Sequence, residues 1–123
     1  MKFYICEVCG NIVYHVNASG VPVFCCGKKM NELIPGTVDA SHEKHIPQPE
    51  VVDGKVIVRV GSVEHPMVDV HYIPWVALVT ESAIYRKHLK PGQAPVAEFL
   101  LGDEKPVAVY AFCNLHGLWK KEL

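Results

Sequence analysis

Long apolar runs are missing from this chain of 123 residues. The longest, Tyr72 to Val79, has eight residues and contains Pro74, too short and too broken to span a membrane. Basic clusters are also missing. Twelve Lys and Arg stand against thirteen Asp and Glu, for a net charge of −1, and no Lys/Arg run supplies the footprint of a nucleic-acid binder. No window carries the 3.6-residue apolar period of an amphipathic helix, and no repeat or low-complexity segment interrupts the chain. No apolar signal region is expected, because Met1-Lys-Phe-Tyr-Ile leads directly into Cys6. The expected setting is a reducing cytoplasm. There the five cysteines read as metal ligands or free thiols, and their odd number would strand one thiol if they paired.

What is present is punctuation and a few chemically specific side chains. Residues 1–36 read as a small cysteine-bearing domain with short strands at Tyr4–Cys6, Ile12–Val16 and Val21–Phe24. So small a unit cannot bury enough apolar surface to fold unaided, which calls for a structural metal or a partner chain. Residues 37–123 read as a second, all-β domain. Strands are expected at Glu50–Val52, Lys55–Val63, Val70–Thr80, Ala83–His88, Val96–Leu101, Val107–Phe112 and Gly117–Lys121. They are separated by turn sequences such as Asp53-Gly54 and Lys90-Pro-Gly92. Seven short strands at this spacing predict an immunoglobulin-like β-sandwich.

Four cysteines, Cys6-x-x-Cys9 and the adjacent Cys25-Cys26, supply the thiolates of a tetrahedral site. Neighbouring side chains on a strand point to opposite faces, so Cys25 and Cys26 share one ion only where the chain turns, and Gly27 is the residue expected to permit the turn. Tetrahedral sulfur suits iron or zinc equally.

A second constellation consists of Glu43-Lys44-His45, His65-Pro66, His71 and Cys113-Asn-Leu-His116. A lone histidine beside a strand is ordinarily a satisfied polar residue. Several of them, with the one cysteine outside the first domain, point to a nitrogen-rich metal site. Four neutral imidazoles and one thiolate around a divalent ion leave a net charge of +1 and an open sixth position, which attracts small anions. Lys44 adds positive charge near the mouth, and Glu43 offers a carboxylate to the open position. Two other functions use the same residues: an electron carrier working from the sulfur site, and a thiol nucleophile at Cys113 with His116 as base.

These motifs, taken together, resemble the desulfoferrodoxins, the two-iron superoxide reductases, over essentially the whole chain. Cys6, Cys9, Cys25 and Cys26 match the desulforedoxin-like lobe of that family. Glu43-Lys44-His45-Ile46-Pro47, His65-Pro66-Met67 with His71, and Cys113-Asn114-Leu115-His116 match its catalytic domain. The resemblance implies two irons per chain, with zinc as the alternative metal at the four-cysteine site. It implies four equatorial imidazoles (His45, His65, His71, His116) and an axial Cys113 at the catalytic iron, with Glu43 and Lys44 as the catalytic side chains. It further implies one-electron reduction of superoxide to hydrogen peroxide, a rubredoxin-like donor, a homodimer and a detoxifying role in anaerobic or microaerophilic cells. His15, His42 and His88 match no ligand position and are expected at the surface.

Overall fold

A computed structural model describes all residues, 1–123. It divides into two compact units, Met1–Ile34 and Pro35–Leu123. No helix is long and apolar enough to cross a membrane.

The first unit consists of two-residue strands. β1 (Tyr4–Ile5) lies between β2 (Ile12–Val13) and β5 (Asn31–Glu32), and β3 (Phe24–Cys25) pairs with β4 (Lys28–Lys29) as a separate hairpin. Phe3 (3% exposed) and Met30 (3%) are its buried apolar residues, beside the buried Cys6. Such a core is far too small for stability on its own. The strand expected at Val21–Phe24 begins instead at Phe24. β4 and β5 carry only exposed polar residues, so no apolar alternation marks them in the sequence.

The second unit contains all seven expected strands: β6 (Pro47–Val52), β7 (Lys55–Val60), β8 (Trp75–Thr80), β9 (Ile84–His88), β10 (Val96–Leu100), β11 (Pro106–Cys113) and β12 (Gly117–Glu122). They form two antiparallel sheets, β10-β7-β6 and β12-β11-β8-β9. That order is the immunoglobulin-like sandwich arrangement. Val56, Val58 and Val60 of β7 alternate into the core, as do Ala97 and Phe99 of β10. From the other sheet come Val76, Leu78, Val109 and Ala111, all at 0% exposure. Each buried Val or Leu stabilises the fold by about 1.5–3 kcal/mol.

Two strands are shorter than expected. β7 stops at Val60, because a tight turn opens at Gly61. The segment 70–80 becomes a strand only at Trp75, after Pro74, whose ring nitrogen has no hydrogen to donate to a ladder. One short element is absent from the sequence reading. Residues His42–His45 form a single helical turn, α1, with too few residues to show any period.

Glu104 anchors the β8–β9 turn. Its carboxylate accepts hydrogen bonds from Thr80 Oγ1 (2.9 Å), Ser82 Oγ (2.8 Å) and the Tyr85 hydroxyl. Those donors, Tyr85 first, hold its carboxyl below the usual carboxylate range. A depressed carboxyl contributes stability above its unfolded pKa and loses it as pH falls through the folded value. Glu104→Gln should therefore lower the melting temperature at pH 7, and the gap to wild type should close at pH 3. Thermal unfolding at the two pH values checks this, and equal melting temperatures at pH 7 would contradict it.

Candidate metal centres

The sulfur cluster is assembled by two turns. In the first, the Gly10 amide donates to the Cys6 carbonyl (2.9 Å), and the Cys9 amide points at Cys6 Sγ (3.5 Å). In the second, Cys26 and Gly27 form the two-residue loop of the β3–β4 hairpin, both left-handed, at φ 53° and 73°. This is the mirror-image turn that two-residue hairpins favour. Cys26 itself, not Gly27 alone, adopts a backbone that residues with a Cβ rarely take. That local strain is what lets adjacent cysteines face one point.

The four Sγ atoms lie within 4.8 Å of one another, with Cys9 to Cys25 at 3.6 Å and Cys25 to Cys26 at 4.0 Å. A tetrahedral site with metal–sulfur bonds of about 2.3 Å has edges of about 3.8 Å, whereas a disulfide brings its sulfurs to about 2.05 Å. The spacing is therefore that of a metal site, and all five cysteines are free. The amides of Cys9 and Val8 pull the Cys6 thiol down to about 6 against the effect of burial. Cys26 is pushed up to about 12 by sharing hydrogen bonds with Cys9, Cys6 and Cys25. As thiolates the four sulfurs would repel at this spacing, and a cation held between them would offset that repulsion. Asn11, which the sequence reading did not single out, points its side-chain amide at Cys25 Sγ (3.7 Å). Its nearness to Cys9 along the chain was the only available signal.

The nitrogen cluster draws on four segments at one end of the sandwich. His45 ends α1, and His65 follows the turn after β7. His71 closes a short bridge with Val68. Cys113 ends β11, and His116 lies in the three-residue loop before β12. Donor atoms of His45, His65, His71 and Cys113 lie within 4.8 Å of one another. His116 joins them through Nδ1, 3.1 Å from His45 Nε2 and 3.7 Å from Cys113 Sγ.

The ring positions describe a near-square. Successive centroids are 4.7 Å (His45–His65), 4.7 Å (His65–His71), 5.1 Å (His71–His116) and 4.9 Å (His116–His45) apart, with each ring almost perpendicular to the next. The His45–His71 diagonal is 6.4 Å. Cys113, fully buried, is close to all four rings, as an apex is.

Hydrogen bonding fixes which nitrogens point inward. His45 Nδ1 donates to the Ser41 carbonyl (2.6 Å), and His65 Nδ1 donates to the Pro66 carbonyl (2.7 Å). Each ring therefore turns an unprotonated Nε2 toward the centre, and these two lone pairs face each other at 3.2 Å. No hydrogen bond joins two acceptors. His71 Nε2 is buried with no partner at all. The arrangement is repulsive unless a cation sits among the rings, and outward N–H groups bonded to carbonyls are what metal-bound histidines display. Burial keeps the rings neutral, depressing His45, His71 and His65, the last to about 4. The charge of Lys44 adds a small part to the depression at both His45 and His71. Burial raises the Cys113 thiol, while the amides of Leu115 and His116 oppose that shift.

Glu43 and Lys44 are exposed on α1 beside this cluster, and neither is one of its inward donors. His42 and His88 are exposed, with His42 edge-on to Trp119 (5.5 Å), while His15 is half-buried against Tyr4 (5.3 Å). Two supporting residues escaped the sequence reading. Trp119 donates its indole N–H to the His116 carbonyl (3.0 Å) and packs on His45 (5.0 Å). Asn114 accepts from the Tyr72 amide (2.9 Å) and donates to the Val70 carbonyl (3.1 Å), tying the His71 segment to the Cys113 loop. A polar residue between two candidate ligands was the available signal for Asn114. For Trp119 there was none.

Comparison with known proteins gives a consistent result. Residues 1–33 match the family described as Desulfoferrodoxin, N-terminal domain, and residues 37–122 match Desulfoferrodoxin. A desulfoferrodoxin from Syntrophotalea carbinolica is 47% identical over 122 residues, covering 99% of this chain and 96% of that one. A desulfoferrodoxin homolog from Archaeoglobus fulgidus is 45% identical over 98% and 95%. The crystal structure of the superoxide reductase from Treponema pallidum superposes with a TM-score of 0.83 at 39% identity, over 98% of both chains. Two successive domains, matched in order, and near-complete overlap with these relatives lead to one conclusion: the chain belongs to the desulfoferrodoxin family.

Proposed function

We propose that the chain is a superoxide reductase, reducing superoxide at an iron held by His45, His65, His71, His116 and Cys113. The observation that carries this reading is the near-square of four imidazoles beside a buried cysteine sulfur, with the unprotonated Nε2 atoms of His45 and His65 turned inward. The structural relative from Treponema pallidum, a superoxide reductase, supports it.

The residues divide the work. Burial keeps His45, His65 and His71 neutral, and with four uncharged imidazoles and one thiolate a divalent ion would leave the site cationic. Carbonyl bonds to Ser41 and Pro66 hold the His45 and His65 rings in the tautomer that presents a lone pair. Cys113, at the buried end of β11, would supply the thiolate that holds the iron together with the four imidazoles. Lys44 would provide the positive charge that guides superoxide to the cluster, and Glu43 would offer it a carboxylate when no substrate is present. When bound, iron supplies one electron to superoxide, and with two protons the product is hydrogen peroxide.

Cys6, Cys9, Cys25 and Cys26 hold a second iron, their spacing also admitting zinc, in a domain of residues 1–36 that precedes a catalytic domain of residues 37–123. A rubredoxin-like donor and a detoxifying role follow from the family resemblance. A cytoplasmic location is the setting in which five unpaired cysteines serve as metal ligands. The homodimer is supported by the same resemblance and by the exposure of Val16 (93%), Val21 (70%) and Phe24 (66%) in the first unit.

Removing the apex should be decisive. Cys113→Ser substitutes a hydroxyl that stays protonated at neutral pH, and should lose the nitrogen-site metal and slow the superoxide reaction by more than about 100-fold. Metal analysis should still find the sulfur site filled, and simultaneous loss of both metals would contradict two independent centres. Cys9→Ser should do the reverse, emptying the sulfur site while the superoxide rate stays within about twofold of wild type. An inactive variant with an intact nitrogen site would make the first metal an obligatory relay.

Lys44→Ala should slow the second-order reaction with pulse-generated superoxide about tenfold at low ionic strength, with the deficit shrinking as salt rises. Glu43→Ala should leave the encounter rate nearly unchanged and shift the absorption of the oxidised iron. A Lys44→Ala rate equal to wild type at low salt would contradict the steering role.

A further inference from the structure

Lys44 can guide an anion only if its backbone is held, and α1 cannot hold it alone. One helical turn fixes several dihedral angles for very few hydrogen bonds, and is unstable in isolation. Ser41, at the N-cap, makes no side-chain capping bond. What secures the segment is the turn that follows β7. The Val63 amide donates to the Glu43 carbonyl (2.9 Å), and Ser62 Oγ donates to the same oxygen (3.2 Å). Gly61 is buried directly against this backbone. A Cβ on Gly61 would lie 2.5 Å from the Glu43 carbonyl oxygen, 2.9 Å from the Lys44 carbonyl carbon and 3.0 Å from the Ile46 carbonyl oxygen. All three are main-chain atoms, so no flexible side chain can yield.

We propose that the Gly61–Ser62–Val63 turn is the positioning element for Glu43 and Lys44. Glycine lets two backbones meet, and the Ser62 hydroxyl and Val63 amide grip the Glu43 carbonyl, holding the backbone of α1 that carries Lys44 next to the ligand candidate His45. The same turn leads into His65, whose amide donates to the Val60 carbonyl (2.9 Å). One short segment therefore sets both a metal-facing ring and the charged pair at the mouth. None of its three residues touches the reacting atoms. The inference rests on the anion-guiding role of Lys44 given above.

The test is a double-mutant cycle in the iron-loaded full chain. If Gly61 acts through Lys44, Gly61→Ala should slow the low-salt superoxide reaction about as much as Lys44→Ala does, about tenfold. It should flatten the salt dependence in the same way. The double variant should be no slower than Lys44→Ala alone, within about twofold. Azide affinity for the oxidised iron should follow the same non-additive pattern, which a role confined to stability would not produce. A wild-type rate and salt slope in Gly61→Ala, or fully additive losses, would overturn the proposal.

Should Gly61→Ala fail to fold or to take up iron, Ser62→Ala replaces it, since Ser62 is exposed and only one of the two donors is lost. Hydrogen exchange in the peptide 61–65 should then rise about fivefold, the loss of one hydrogen bond. The superoxide rate should fall by a smaller factor that vanishes in the Lys44→Ala background. Unchanged exchange and rate in Ser62→Ala would also overturn the proposal. If the protein proves inert to superoxide yet azide affinity shows the non-additive pattern, the positioning role stands and the activity reading falls. If superoxide reacts equally fast in both turn variants, the reverse holds.

Discussion

Two unprotonated imidazole nitrogens facing each other at 3.2 Å, with a third buried nitrogen lacking any partner, constrain the sandwich domain more than any other contact. Neutral rings in that arrangement repel, and burial raises the cost of leaving their lone pairs unsatisfied. The carbonyls of Ser41 and Pro66 prevent the obvious escape, a tautomer that would turn an N–H inward. Much else at this end of the domain serves to hold the rings there. Trp119 packs behind His45 and bonds the His116 carbonyl, and Asn114 stitches the His71 segment to the loop carrying His116. The four rings come from distant parts of the chain, so the fold must be complete before the cluster exists.

The sandwich and the small unit solve the same problem in opposite ways. Residues 35–123 have a continuous apolar core, with Val56, Val58, Val76, Leu78 and Val109 fully buried, and the nitrogen cluster sits at the end of that stable frame. Residues 1–34 bury little beyond Phe3, Met30 and Cys6, and their two-residue strands contribute few ladder bonds. There the sulfur cluster is the organising contact, and the chain accepts a left-handed Cys26 to complete it.

Much of this was legible in the sequence, for identifiable reasons. Turn pairs such as Asp53-Gly54, with alternating Val56, Val58 and Val60, announce the seven strands of the sandwich, because turn chemistry and period-two burial are local properties. Cysteine and histidine grouping is legible because those residue types have few other reasons to cluster. The single turn of α1 and the polar strands Lys28–Lys29 and Asn31–Glu32 carry no period, and could not be read. The contributions of Gly61, Asn11 and Trp119 depend on contacts with residues distant in the chain or on backbone atoms, to which sequence patterns are blind. The vicinal cysteines were partly legible. The need for a turn follows from strand geometry, but the left-handed conformation of Cys26 does not.

The central claim is that converging lone pairs and a buried sulfur hold an iron with one position open to a small anion. Metal content measured together with the visible spectrum of the oxidised protein, before and after azide, tests it most directly. The account predicts iron at the nitrogen site and an absorption band that shifts when azide is added, beside a sulfur-site band that does not. A colourless protein containing only zinc, or an iron spectrum indifferent to azide, would contradict it.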